Sequence, residues 1–199
     1  KYSNWLPAAS AAFHVGDNVV LRAAVSRTMT RPNPSQMLPG LNFSSPSADI
    51  GSVGNPALKP FLSTNFDFGA EYYTGKEGYV GIAAFRKAVT GFTVNGNVTV
   101  PFSDLAVYGV TYSTLTPTQQ AAIDSRGGPN NATVVLTQQV NATGTLIVNG
   151  LEMNWVQPLD FLIGRYLGID GFGFTANLTL INQSGSGAAP ALATGVPPV

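Results

Sequence analysis

The side chains able to do chemistry are few and scattered along this chain. His14 is the single histidine and there is no cysteine, so neither a site of several imidazoles nor a thiolate-built zinc centre can be assembled from it. A hydrolytic relay would have to be built around that one ring, and no nucleophile, base and orienting acid come together around it. The run Gly168-Ile169-Asp170-Gly171-Phe172-Gly173 has the glycines of a phosphate-cradling loop. Such a loop needs a helix N-terminus after it, and an alternating strand pattern follows instead. The chain therefore reads as a non-enzyme that holds neither metal nor cofactor. The polar residues that stand out, Asp67, Glu71, Glu152 and Asn154, do so because each occupies the polar phase of an alternating segment.

That alternation is the main signal. In residues 65–72, Phe66, Phe68, Ala70 and Tyr72 occupy one phase while Asn65, Asp67, Gly69 and Glu71 occupy the other. Successive strand side chains point to opposite faces, so the segment has one apolar and one polar, charged face. Carboxylates on one side and aromatic rings on the other are the pattern of a strand between water and hydrocarbon, as in an outer-membrane barrel.

Composition supports this reading. Only 10% of the 199 residues are charged, against about 25% in a typical soluble domain, too few to cover a compact soluble body. Basic and acidic residues balance at ten each, leaving no net field for nucleic acid. No apolar run approaches the roughly 20 residues of a membrane helix, so any membrane crossing is made by strands, whose backbone groups pair between neighbours.

Alternation and turn signals give six membrane strands in three antiparallel, up-and-down hairpins, an all-β fold. Residues 6–15 and 19–26 flank a turn at Gly16-Asp17-Asn18, with Val19, Leu21, Ala23 and Val25 sharing a face. Residues 63–74 and 79–94 flank Gly75-Lys76-Glu77-Gly78. The lipid-facing phase of 79–94 is left open, because Arg86 and Lys87 are adjacent and break the rhythm. Residues 151–155, extended back toward Ile147, pair with 172–180 across a longer connection. Two long loops, 31–62 and 95–140, link the hairpins, and the rule that outer-membrane barrels have short periplasmic turns makes them extracellular. The second holds one short helix over 116–127, with Thr116 as cap and Pro117 in the first turn. Residues 133–140 and 145–148 are expected as a hairpin above the membrane; in a competing register that pair spans, with the helix on the periplasmic side. Trp5, Trp155, Tyr72, Tyr73, Tyr79 and Phe161 fall near strand ends, as an aromatic girdle would.

The segment Gly54-Asn55-Pro56-Ala57-Leu58-Lys59-Pro60, leading into Ser63-Thr64-Asn65-Phe66-Asp67 and then Glu71, resembles the barrel of TonB-dependent outer-membrane receptors. Trp5-Leu6-Pro7, the stretch from Val25-Ser26-Arg27 to Arg31-Pro32, and Gly150-Leu151-Glu152 through Pro158-Leu159 agree in order. The resemblance spans nearly the whole chain. It implies part of a large transmembrane barrel in the outer membrane of a Gram-negative bacterium, with the plug domain absent from this sequence. It also implies import of a scarce solute (siderophore, cobalamin, carbohydrate or similar), with outer-membrane lipid, a plug domain, a TonB-type energy-transducing protein and an unidentified small-molecule ligand as partners. Asp67, Glu71, Glu152 and Asn154 would then face the lumen. Two alternatives stand beside it. A secreted β-sandwich adhesin or carbohydrate-binding module predicts Phe66, Phe68, Phe172 and Phe174 inside a closed core, and a small closed barrel of about eight strands recruits the loop strands into its wall.

Overall fold

A computed structural model describes residues 3–75, 78–161, 163–168 and 171–185. The described residues divide into two compact units, one drawn from residues up to Met29, from Leu62–Val89 and from 146–185, the other from Thr30–Phe61 and Thr90–Thr145.

The first unit is built on a six-stranded sheet. Its strands are β1 (Ala8–Val15), β2 (Val19–Thr30), β5 (Phe61–Tyr73), β6 (Tyr79–Thr90), β9 (Thr145–Pro158) and β10 (Gly173–Gly185), in the order β1-β2-β5-β6-β9-β10. These are the six expected strands, with the three hairpins side by side. The register Ala11↔Ala23 and Val15↔Val19 closes the first hairpin over Gly16, and Met153↔Leu178 and Leu151↔Leu180 set the third. β9 starts at Thr145, so it has 14 residues, ample for the roughly 9 to 11 of a tilted crossing. A one-and-a-half-turn helix, α2 (Ile163–Leu167), occupies the β9–β10 connection. Strand β6 ends at Thr90 rather than Val94, where Gly91 turns the chain at φ +71°.

The unsettled phase of β6 resolves through a close approach. A Cβ on Gly150 would lie 2.1 Å from the Phe85 ring, so only glycine lets that ring lie across β9. Phe85 therefore shares the face of Glu152 and Asn154, and Ile82, Ala84 and Arg86 take the other. The rhythm breaks because an aromatic residue sits on the polar face, with the Lys87 ammonium 5.1 Å from its ring centre.

The second unit arises from the two long connections. They contribute β3 (Leu41–Phe43), β4 (Ile50–Val53), β7 (Thr93–Pro101) and β8 (Thr133–Asn141), ordered β3-β4-β8-β7. Strands β7 and β8 are antiparallel with Val98↔Leu136 and Val100↔Val134, whereas β4 and β8 run parallel. Along β8, Val134, Leu136, Gln138 and Val140 are buried and the residues between them are not, and Gln138 donates to the Gly54 carbonyl. That phase closes on a core containing Val98, Val100, Phe102, Leu105 and Ile123. The expected hairpin of residues 133–140 with 145–148 is not formed, because β7 and β4 flank β8 on both sides and 145–148 belong to β9. The competing spanning register fails for the same reason. The helix α1 (Pro117–Ser125) carries the expected start: the Thr116 hydroxyl accepts from Gln119 N–H and the Gln119 side chain accepts from Thr116 N–H. It buries Ile123 completely.

The Gly54-Asn55-Pro56 motif ties the two connections together. A Cβ on Gly54 would lie 2.0 Å from the Leu38 carbonyl oxygen. Asn55 donates to the Gln139 carbonyl at 2.8 Å and accepts from Ala57 N–H at 2.9 Å. From β8, the Asn141 side chain accepts from Lys59 N–H and donates to the Lys59 and Gly91 carbonyls. Arg126 adds a second tie, donating to the carbonyls of Ser47, Ala48, Ala122 and Thr133. Beside it the Ser45 and Ser47 hydroxyls donate to the Asp49 carboxylate and hold its pKa below the ordinary 3.8, with the Arg126 charge adding to the effect.

Ile123→Ala removes a fully buried side chain and is expected to lower the stability of this unit by about 2–5 kcal/mol, read as faster hydrogen exchange of the β8 amides. Asn141→Ala leaves backbone groups of Lys59 and Gly91 without their partner and is expected to cost about 1–3 kcal/mol, with exchange rising around residues 57–60. The Asp49 contribution is present above pH 3.8 and is lost as pH falls through the depressed folded-state value. Asp49→Asn should therefore lower the melting temperature near neutrality while the difference from the parent narrows below about pH 4.

Candidate functional site

Because strand side chains alternate, the six-stranded sheet separates its residues onto two chemically distinct faces. One carries Phe66, Phe68, Leu178 and Leu180, which are 53%, 56%, 49% and 55% exposed. Phe172 and Phe174 are likewise exposed. This overturns the β-sandwich reading, which required these phenylalanines in a closed core. The eight-stranded closed barrel also falls, since the loop strands form their own sheet.

The opposite face carries the four residues singled out from the sequence. Asp67, Glu71, Glu152 and Asn154, together with Arg22 and Asn177, line a hollow of about 780 Å³. In the β9–β10 register Glu152 stands opposite Thr179, and Asn154 opposite Asn177. Glu71 forms a forked pair with Arg22, Nε to Oε1 at 2.8 Å and Nη2 to Oε2 at 3.2 Å, and accepts a third hydrogen bond from the Tyr73 hydroxyl at 3.0 Å. Such a two-pronged pair fixes the relative position of adjacent strands more firmly than a point charge does. Asn65, 7% exposed, gathers three hydroxyls from two strands by donating to Ser26 and Thr28 of β2 and accepting from Ser63 of its own strand.

The sequence reading had not assigned Arg22 to this group. The signal was available: Leu21 and Ala23 lie on the apolar phase, so Arg22 must lie on the other. Asp67 and Glu152 have no ion-pair partner among the described residues, and no three His, Cys, Asp or Glu side chains converge there on a common point. The face is a wall of hydrogen-bonding groups with spare acceptor capacity. It can solvate and guide a polar body, and it lacks the paired base and nucleophile that bond cleavage needs. Gly168 follows the C-terminal end of α2 and Gly171 is followed by strand β10, so no helix N-terminus follows Gly171; Ile169 and Asp170 lie outside the described residues.

Aromatic residues collect at the short-turn end of the sheet. Trp155 meets Phe174 edge to face at 4.8 Å, and Tyr73 meets Tyr79 at 5.5 Å across the β5–β6 hairpin. Tyr72 lies one residue from the end of β5, while Trp5 and Phe161 are strongly exposed. No helix among the described residues is long and apolar enough to cross a membrane.

Known proteins agree with this geometry. The siderophore receptor PirA from Pseudomonas aeruginosa superposes with a TM-score of 0.58 at 22% identity over 91% of this chain and 28% of its own. The ferric enterobactin receptor PfeA, in complex with BCV-L6, gives 0.60 at 24% identity over 91% and 22%. The chain thus spans about a quarter of the length of these receptors. No curated protein matches it by sequence. The family model described as TonB dependent receptor-like, beta-barrel matches residues 1–198, and on that match the chain belongs to the β-barrel family of TonB-dependent receptors.

Proposed function

We propose that this chain is a wall segment, of about six membrane strands, in a receptor that imports a scarce solute such as a siderophore, cobalamin or carbohydrate across the Gram-negative outer membrane. The observation that carries the reading is the separation of the six-stranded sheet into an exposed phenylalanine and leucine face and a hydrogen-bonding face lining a hollow. An exposed apolar face of this extent is costly in water and favourable against acyl chains.

On this reading Asp67, Glu71, Glu152 and Asn154 face the lumen. There they contact a plug domain of the same receptor, or the solute path once the plug moves. The energy for that movement comes from a TonB-type protein acting on a region outside this sequence. The connections 31–62 and 95–140 face outward, because they are much longer than any connection at the opposite strand ends. The chain's own contribution is positional and electrostatic, with no chemical step. The Arg22–Glu71 pair holds β2 and β5 in register while Asp67 and Glu152 keep the wall hydrated.

Nitroxide labels placed singly at positions 66, 67, 68, 152, 153 and 154 of the receptor in lipid test the assignment. Oxygen collision rates are expected to peak at 66, 68 and 153, and rates for a water-soluble nickel chelate at 67, 152 and 154. A profile without period two, or one with the phases exchanged, would reject it.

A further inference from the structure

The buried phase of β8 faces the core of the second unit, and the other phase of that four-stranded sheet makes a surface of a different kind. Asn42 on β3 pairs with Ser52 on β4, Ser52 with Thr137 on β8, and Thr137 with Asn97 on β7. One neutral polar residue per strand therefore forms a row across the whole sheet, with about 4.8 Å between neighbouring strands. Beside the row, Asn95 and Gln139 form a second cross-strand pair, in which the Gln139 amide donates to the Asn95 side-chain carbonyl. Asn42, Ser52, Asn95 and Asn97 are exposed.

Asn42, Ser52 and Thr137, with that second pair, line a recess of about 540 Å³, within the roughly 300–1,000 Å³ of small-molecule sites. Its wall is the segment 35–40, which is fastened to the Gly54 turn. The Gln36 carbonyl accepts from Asn55 N–H at 2.7 Å, and Gly54 approaches the Leu38 carbonyl too closely for any Cβ. A wall fixed in this way spares a ligand the cost of ordering it. Leu38, 66% exposed, and Pro39 give the recess an apolar edge. The Asn42 and Thr137 side chains have no hydrogen-bond partner among the described residues, and the Asn95–Gln139 pair leaves an NH2 on one side chain and a carbonyl on the other unused. The two connections carry three cations and three aspartates, and none of them lines the recess.

Amides and hydroxyls without charge offer donors and acceptors together. An anionic ligand would find no cation to pair with here. A polyhydroxylated ligand both gives and takes hydrogen bonds at every ring, and the C–H face of a ring rests well on an apolar edge. We propose that this recess binds a neutral oligosaccharide, lying along the Asn42-Ser52-Thr137-Asn97 row with one ring against Leu38 and Pro39. The inference rests on the import reading above and narrows its solute to a carbohydrate.

An array of immobilised neutral di- to hexasaccharides, with sulfated and uronic-acid counterparts, probed with the intact receptor in detergent, tests the site. The parent is expected to bind at least one neutral chain and to bind the acidic counterparts more weakly. Asn42→Ala/Thr137→Ala removes two side chains without internal partners; about ten-fold weaker binding is expected with an unchanged melting temperature. Asn42→Trp, which fills the recess, is expected to abolish binding. In Ser52→Cys a maleimide should react with the free receptor and be blocked by the captured sugar. Binding to no neutral chain, preference for the acidic ones, or equal binding by parent and variants would overturn the inference. So would absence of maleimide labelling without sugar, which would mean that another connection of the receptor covers this face. Uptake by cells with and without the TonB-type protein separates this inference from the import reading. A captured sugar whose uptake is independent of that protein would reject import and leave the recess standing, whereas TonB-dependent uptake of a ferric chelate by a receptor that binds no neutral sugar would reject the recess alone.

Discussion

A strand shows its side chains to two sides in strict turn, and the six-stranded sheet depends on that single geometric fact. The sheet carries one apolar and one polar face, so a residue shifted by one position would place a carboxylate among phenylalanines. The Arg22–Glu71 fork, the Asn65 cluster and the Phe85–Gly150 stacking all sit on the polar face. They give each strand a way of recognising its neighbour that the apolar face, with its interchangeable Leu, Ala and Phe side chains, does not supply. Register is thus written mainly in the polar residues.

A different force organises the connections. Residues 30–61 and 90–145 bury Val100, Leu105, Ile123, Val134 and Leu136 completely, so this unit has an interior of the kind found in soluble domains. Its parallel β4–β8 contact joins two segments far apart in sequence. Closing such a contact costs chain entropy, offset here by the buried apolar residues and by the Asn55, Asn141 and Arg126 hydrogen bonds. Ala48, fully buried with φ +50°, is a place where that packing overrides local backbone preference.

Much of the first unit was legible from sequence because its signals are local. Alternation identifies strands and short glycine turns identify hairpins, so the six strands and their pairing within three hairpins follow without long-range information, whereas the β2–β5 and β6–β9 contacts do not. The helix start was legible for the same reason: Thr116, Pro117 and Gln119 form a cap within four positions. The phase of β6 was not, since Phe85 looks like a residue of the apolar face until Gly150 is seen to make room for it on the polar one. The second sheet was missed because its pairings are non-local. Residues 133–140 alternate clearly, yet nothing within the segment says that its partners are β7, some forty residues earlier, and β4, farther still. The four polar-face residues were found by phase alone; phase places Arg22 and Asn177 with them too, but the pairing of Arg22 and Tyr73 with Glu71 needed coordinates.

The tie made by Asn141 and the Gly54-Asn55-Pro56 turn bears on how such proteins diversify. Val53 and Leu136 lie on strands supplied by different connections but fill one interior, so neither connection is a self-sufficient module. Transplanting one alone into a foreign scaffold would expose half of a hydrophobic interface and orphan the amide ladder of β8. Recombination that preserves folding must exchange both inserts together, and drift in one is constrained by the sequence of the other.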